Sequence, residues 1–378
     1  MKAALYILTL IAPGLGHMVI GRVGKGILFM TVLAGHAGTA YLAFQRGRFA
    51  WQPQPFAYKV SPTALWVSTI CLLVVAAAVW VAALWDLRRS VQRQEASHVE
   101  AEGYWRLVSR RFSQDPKGLI GLAIISIVCY VAIFAPFLAS TDATRMNLRA
   151  ALVEPGPSHP LGTDNFGRDI LDRIIFGARV DLGIGVVATV FNMMLGGLLG
   201  LVAGYYRKTP DAVIMRILEI VNAVPFLVLV LLAISLFGSS VGMMILVLGI
   251  FGLEPARIVR SEVLSVREND YVMAARAMGA PTRRIIFRHV LPNSIASLIV
   301  VATMAIGVNI IVVAGLSFLG FGVKPPTPSW GSMLQEAQEF MRRAWWMAVF
   351  PGLSIVTTVF GFNILGDSLR DVLDPRLK

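Results

Sequence analysis

The sequence predicts an all-α protein that crosses a lipid bilayer several times, and three observations carry that reading. Of 378 residues, 56% are hydrophobic and only 15% charged, against roughly 25% charged in soluble domains. The mean hydropathy is +0.69. Apolar runs recur along the chain, most of them near the roughly 20 residues that a helix needs to cross the hydrocarbon core. The ten-residue alternation of an outer-membrane barrel is not part of the pattern.

Taken in order, the first run, 4–20, is interrupted by Pro13-Gly14-Leu15-Gly16, so it either crosses the bilayer or lies in its interface. Runs 27–44 and 64–85 complete an apolar module over residues 1–85, which gives two or three spans. Met1-Lys2 before an apolar run suggests a signal peptide. No small-residue cleavage site follows, and Gly21-Arg22-Val23-Gly24-Lys25-Gly26 leads straight into the next run, which favours mature sequence. Residues 86–118 read as a polar cytoplasmic linker rich in arginine. Beyond it, runs at 119–139, 182–205, 212–237, 241–253, 294–319 and 346–365 make six further spans. They divide into a first span with its long outer loop, 119–180, and a core, 181–378, that holds a basic loop at 257–293.

The net charge is +12. In a soluble protein that excess would raise nucleic acid as a partner. Here the basic residues sit in short connections between spans, where retention of Lys and Arg on the cytoplasmic side accounts for them and the bilayer is the partner. Placing 86–118 in the cytoplasm puts three other basic segments on the same side: the Arg207-Lys208 turn, the 257–293 loop and the tail from Arg370 to Lys378. The 140–180 loop is then external and carries charges of both signs. Cys71 and Cys129 lie within apolar runs and read as small buried hydrophobes, neither a disulfide framework nor a metal site.

The 257–293 loop is the most informative segment. Good helix formers fill Asp270 to Met278, and Ala274, Ala275 and Ala277 predict a slim face. Gly279 ends that helix or allows close backbone approach. Pro281 starts a second piece, and Pro292 marks the beginning of the next span. With Arg276, Arg283 and Arg284 around it, such a helix suits a groove on a soluble partner. On composition alone, the same segment also reads as an amphipathic loop held by anionic headgroups.

Several motifs, in order, resemble one known family. They include Ala274, Ala275 and Gly279, then Arg284-Ile285-Ile286 and His289-Val290-Leu291-Pro292-Asn293. Arg110-Arg111-Phe112, His159-Pro160-Leu161-Gly162-Thr163-Asp164 and Gly167-Arg168-Asp169 precede them. Leu316-Ser317-Phe318-Leu319-Gly320-Phe321-Gly322, Phe362-Asn363-Ile364-Leu365-Gly366-Asp367 and Asp374-Pro375-Arg376 follow. Over roughly 105–376 the chain resembles the permease subunits of dipeptide, oligopeptide and nickel importers driven by ATP-binding cassettes, of the C type. The glutamate that opens the loop motif in importer permeases generally is Met273 here, as is common in the peptide branch.

The resemblance implies a six-span type I importer transmembrane domain, preceded here by the extra N-terminal spans, in a bacterial or archaeal cytoplasmic membrane. It implies that Ala274, Ala275, Arg276, Gly279, Arg283, Arg284 and Pro292 couple the permease to its motor. It also implies a second homologous permease, two ATP-binding subunits and an extracytoplasmic substrate-binding protein, with di- or oligopeptides or similar small solutes as cargo. The chain itself needs no cofactor, because ATP is bound by the partners. Accordingly no Gly-x-x-x-x-Gly-Lys-Ser/Thr loop occurs, and no Ser/His/Asp set or His-Glu-x-x-His stands out to suggest an enzyme.

Other features carry two readings each. Asp164 can cap a short interfacial helix starting near Phe166, with Ile170, Ile174 and Ala178 on one face, covering the external mouth. His159, Asp164 and Asp169 lack the spacing of metal ligands. Gly196, Gly200 and Gly204 recur every four residues, as in close helix packing. Glu219 and Asn222, at the start of 212–237, and Asn309, inside 294–319, either line a solute path or serve packing. Arg216 can neutralise Glu219 from three residues away. Many relatives carry a glutamate close to Val313, and this chain does not. Residues 12–26 resemble a short module of small bacterial membrane proteins. The rival function is a secondary transporter or channel not driven by an ATPase; it would call for internal repeats or a mid-span acid, and neither is evident.

Overall fold

The computed structural model describes residues 104–139 and 143–373. The apolar module over 1–85, the linker up to 103 and the Asp374-Pro375-Arg376 motif lie outside the described residues. Apart from one isolated bridge between Thr163 and Asp169, the described secondary structure is helical.

Helix α1 (Tyr104–Gln114) leads into α2 (Pro116–Ile133). Asp115 starts α2 by accepting the amides of Lys117 at 3.0 Å and Gly118 at 3.2 Å, with Pro116 in the first turn where no donor is needed. A single turn, α3 (Ala135–Leu138), ends this span. Helix α4 runs unbroken through 37 residues, Ile170–Tyr206. Two residues with positive φ, Arg207 and Lys208, turn the chain into α5 (Lys208–Asn222).

The next two predicted spans are each broken. Pro225 separates α5 from α6 (Phe226–Phe237), and the two axes differ by 79°. After Gly238, whose φ is 86°, Ser240 caps α7 (Val241–Phe251). Pro255 then opens α8 (Pro255–Arg267) at 42° to α7. Short pieces α9 (Asp270–Ala277) and α10 (Thr282–Ile285) precede α11 (Leu291–Phe318). An outer segment carries α12 (Trp330–Ala337), and α13 (Trp346–Leu373) closes the bundle. Among the described residues four helices are long and apolar enough to cross a bilayer, and each bent pair can supply one more crossing, which makes six. The expected division at residue 180 falls inside α4, so the outer loop and the core share one continuous helix.

Helix α4 is the axis of the bundle and packs against α2, α7, α8 and α11. Its contact with α8 is set by the glycine row. A Cβ on Gly200 would lie 2.8 Å from Val259 Cβ, and one on Gly204 would lie 2.8 Å from Val263 Cβ. The row therefore serves packing, as its spacing suggests. Gly200→Ala is expected to lower the stability of the purified protein by about 1–3 kcal/mol, the usual cost of overpacking. Gly197→Ala has no heavy atom within 4 Å of the added carbon and should leave the melting midpoint unchanged or raise it.

Among the described residues three large apolar clusters fill the bundle, and a smaller one, Ala135, Leu138 and Ile175, packs α3 against the start of α4. One, around Ile170, Leu182, Trp330, Trp346 and Phe362, lies where α12 and α13 meet the first half of α4. A second gathers Ile184 and Ala188 of α4 with α6, α7 and α11. The third joins Leu201 and Tyr205 of α4 to α8, α9 and α10.

Candidate coupling site and the clasp at the opposite end

The segment after α8 is built as a knob on a fixed base. Helix α9 ends as the sequence predicts, at Gly279, whose φ is 77°. The Gly279 amide donates to Arg276 O at 3.0 Å and the Ala280 amide to Ala275 O at 3.1 Å, the paired bonds of a Schellman stop. Pro281, in extended backbone, starts α10. A π-helical turn, Ile286–Val290, leads into α11, where Pro292 sits in the first turn.

The base of the knob is apolar. Val272 is fully buried and Ala275 is 5% exposed. Val272 packs with Leu201, Tyr205, Val259, Val263, Ile285 and Val290, which belong to α4, α8 and the segment leading to α11. Polar contacts lock the same joint. Arg267 donates to Tyr205 O and lies 5.5 Å from the Tyr205 ring centroid; Arg276 lies 5.9 Å from the same centroid. Arg207 pairs with Glu268, and Arg260 grips Asp211 through two bonds of 2.5 and 2.6 Å.

The outer face of the knob consists of Met273, Ala274, Arg276, Ala277 and Gly279, with Met278 81% exposed at its tip. Arg283, Arg284, Arg288 and Pro292 are exposed beside it, along with Phe287. The alanines thus do not share one slim face. Ala275 turns inward with Val272, three residues earlier, and only Ala274 and Ala277 face out. Ala275 acts within the base, and the outer surface is an apolar tip ringed by cations.

At the other end of the bundle the outer loop folds back on α4. Asp164 does not cap a helix near Phe166. It accepts the Phe166 amide at 2.8 Å and the Arg168 amide at 2.9 Å, which closes a tight loop. The helix begins only at Ile170, capped by Asp169 through the Asp172 amide at 3.1 Å. The reason lies in the charges: Asp164 is committed to Arg168 at 2.6 Å and Arg173 at 2.5 Å. Both arginines also reach Glu336 of α12 at 2.6 Å. Arg173 is 3% exposed and Glu336 19%. The face shared by Ile170, Ile174 and Ala178 is as expected and packs into the first cluster.

Helix α12 is held at both ends. Asp181 accepts the Trp330 amide at 2.7 Å, and the Trp330 indole donates to Ile174 O at 3.0 Å. Ser329 and Ser332 complete a capping box there. The Trp346 indole donates to Thr163 O at 3.0 Å, tying the loop to α13. Among the described residues no group of three His, Cys, Asp or Glu side chains could hold a metal. His159 Nδ1 lies 2.8 Å from Asp169 Oδ2 instead.

Glu219 pairs with Arg216 at 3.1 Å on an exposed surface where Asn222 is also exposed. Asn309 donates to Thr189 Oγ1 at 2.8 Å and so bridges α11 to α4. Val313 is fully buried in the second cluster. Sequence reasoning passed over Asp181, Asn192 and Glu336. Asp181, an acid bordering an apolar run, carried a usable signal; Glu336 carried none, because its partners lie more than 160 residues away.

Comparison with known proteins agrees with this architecture. Residues 196–378 match the family described as the inner membrane component of binding-protein-dependent transport systems. Residues 103–155 match the N-terminal transmembrane domain of oligopeptide transport permease C. The dipeptide transport system permease protein DppC of Alkalihalophilus pseudofirmus is 42% identical over 279 residues, covering 72% of this chain and 90% of that protein. The glutathione transport system permease protein GsiD of Pectobacterium atrosepticum is 41% identical, covering 73% and 91%. The oligopeptide transport system permease protein OppC of Bacillus subtilis is 38% identical, covering 72% and 90%.

Proposed function

The chain belongs to the dipeptide and oligopeptide permease family of ABC importers, as a multi-pass membrane subunit, and on that premise we propose that its 271–293 segment is the seat of an external motor. The observation that carries this is the knob itself. An apolar tip, Met273, Ala274 and Met278, projects from a base fused to α4 and α8. A push on the tip reaches the two packed spans without passing through a flexible link. The ring of Arg276, Arg283 and Arg284 orients a soluble partner that carries acidic groups.

In this reading the basic end of the bundle faces the cytoplasm of a bacterial cell. Two ATP-binding subunits close on the knob of this chain and on that of a second, homologous permease. The closure rocks the spans, so that the path between the two permeases opens alternately outward and inward. An extracytoplasmic binding protein delivers the solute to the clasped end. The solute is a di- or oligopeptide or a compound of that size, the class named for the DppC and OppC relatives. Glu219, Asn222 and Asn309 are candidate contacts along the path. The chain hydrolyses no ATP itself.

Purification of the tagged protein from its native membrane in mild detergent tests this. An ATPase subunit and a second permease should elute with it, and uptake in vesicles should stop when ATP is withheld. Recovery of the chain alone, with uptake driven by an ion gradient, would instead establish a secondary transporter.

A further inference from the structure

Asn192 and the break between α7 and α8 have no part in the reading so far. The break falls between the second and third of the large apolar clusters. Helix α7 contributes Met244, Val247 and Leu248 to the second cluster, and α8 contributes Val259, Val263 and Val266 to the third. The clusters share no residue, and the chain passes from one to the other at Gly252–Leu253–Glu254. Helix α4 passes alongside both, with Ala188 in one cluster and Leu201 in the other. Asn192 lies between them.

At the break the Ala256 amide, which in a continuous helix would serve Gly252 O, donates to Leu253 O at 3.0 Å; a carbonyl left without a donor is costly inside a membrane unless a side chain supplies one. Asn192 supplies it. Its side chain is buried, its Nδ2 donates to Gly252 O, and Gly249 O lies 3.5 Å away as a second acceptor. Asn192 is also the first member of the row that continues as Gly196, Gly200 and Gly204, against which α8 lies. Along that row α8 meets bare backbone, and among the described residues the amide is the polar tether between α4 and the break. The fit is close: a Cβ on Gly252 would sit 2.5 Å from Asn192 Nδ2.

We propose that Gly252–Glu254 is a hinge between two rigid bodies and that Asn192 is its pin, passing the stroke of the coupling knob from α8 to α7. This deepens the coupling reading and rests on it. When the body containing α8, α9 and α10 swings, α7 keeps its packing on α6 and α11, and the three follow at a changed angle to α8. The Asn192 amide keeps the freed carbonyls satisfied by exchanging Gly252 O for Gly249 O, one turn away. Asn192 is thus a positioning residue: it touches neither solute nor nucleotide.

The test uses the assembled transporter in lipid vesicles, with spin labels at Leu246 on α7 and Ile258 on α8, both exposed, and the native cysteines replaced. The distance between the labels should differ between the nucleotide-free and ATP-trapped states. In Asn192→Leu, which keeps the volume and loses the donor, and in Gly252→Ala, which displaces the amide from outside, that difference should shrink. Solute taken up per ATP hydrolysed should fall about fivefold or more, the scale of one lost hydrogen bond. An unchanged label distance across the cycle of the unmutated protein overturns the hinge, whether or not the variants assemble. So does an undiminished uptake-to-ATP ratio in both variants. Ala274→Trp is run in parallel: if it uncouples and these two do not, the hinge alone fails, whereas full uptake in Ala274→Trp removes the coupling reading beneath it.

Discussion

A transporter carrying Ala274→Trp is expected to hydrolyse ATP while importing about one tenth of the normal solute or less, the effect of roughly 1.4 kcal/mol of lost docking energy. Ala274 is exposed on the outer face of the knob, so the indole meets no atom of its own base and the permease should fold and insert normally. Met278→Glu acts through charge instead, placing a carboxylate on the most exposed apolar tip of the segment. Ala275→Trp is the control. Ala275 is buried on the inner side of α9, 5% exposed, so this variant should be lost at the level of folding, by about 1–3 kcal/mol or more. Hydrolysis and uptake measured together separate the two outcomes. Uptake and hydrolysis falling in step in Ala274→Trp would point to a packing role and count against a motor contact.

The second large effect belongs to the clasp. Arg173→Met should lower stability by about 3–5 kcal/mol, because it leaves the buried Asp164 and the partly buried Glu336 with a single cation, Arg168, between them. That is a large share of the roughly 5–15 kcal/mol available to a folded protein. A steep drop in melting midpoint in detergent, with little intact protein in the membrane, is the expected result. Adding Glu336→Gln removes the surplus acid and should restore part of the loss, since the two sites share one network. Equal stability of the single variant and the parent would mean that the cluster contributes nothing.

The apolar runs announced nearly every crossing helix, because burial in lipid forces long uniform segments that hydropathy detects directly. The breaks were less legible. Pro225 and Pro255 sit within continuous apolar runs or at their edge, and a scale that averages over a window does not register a missing donor. In the coupling segment, Gly279 and Pro281 marked the ends of both helices, since a left-handed stop and a ring-locked φ are local properties. Which alanine faces the bundle was not local. It follows from the direction in which Val272 is drawn, and that depends on α4 and α8.

The outer loop misled for a related reason. Asp164 has the chemistry of a helix cap, but two arginines that it shares with a distant glutamate hold it, and buried ion pairing outweighs one capping bond. Asn192 carries no local signal of its own, because its partner is a carbonyl at a break some 60 residues away.

The uninterrupted run of Ile170–Tyr206 has a geometric consequence. At 1.5 Å per residue, 37 residues make a rod about 55 Å long, with the clasp at one tip and the knob's base at the other. Tilting such a rod by about 5° about one tip sweeps the opposite tip through roughly 5 Å, close to the length of a single amino-acid side chain. A small angular displacement at one membrane face is thus geared up to molecular size at the other, with no element in between required to unfold.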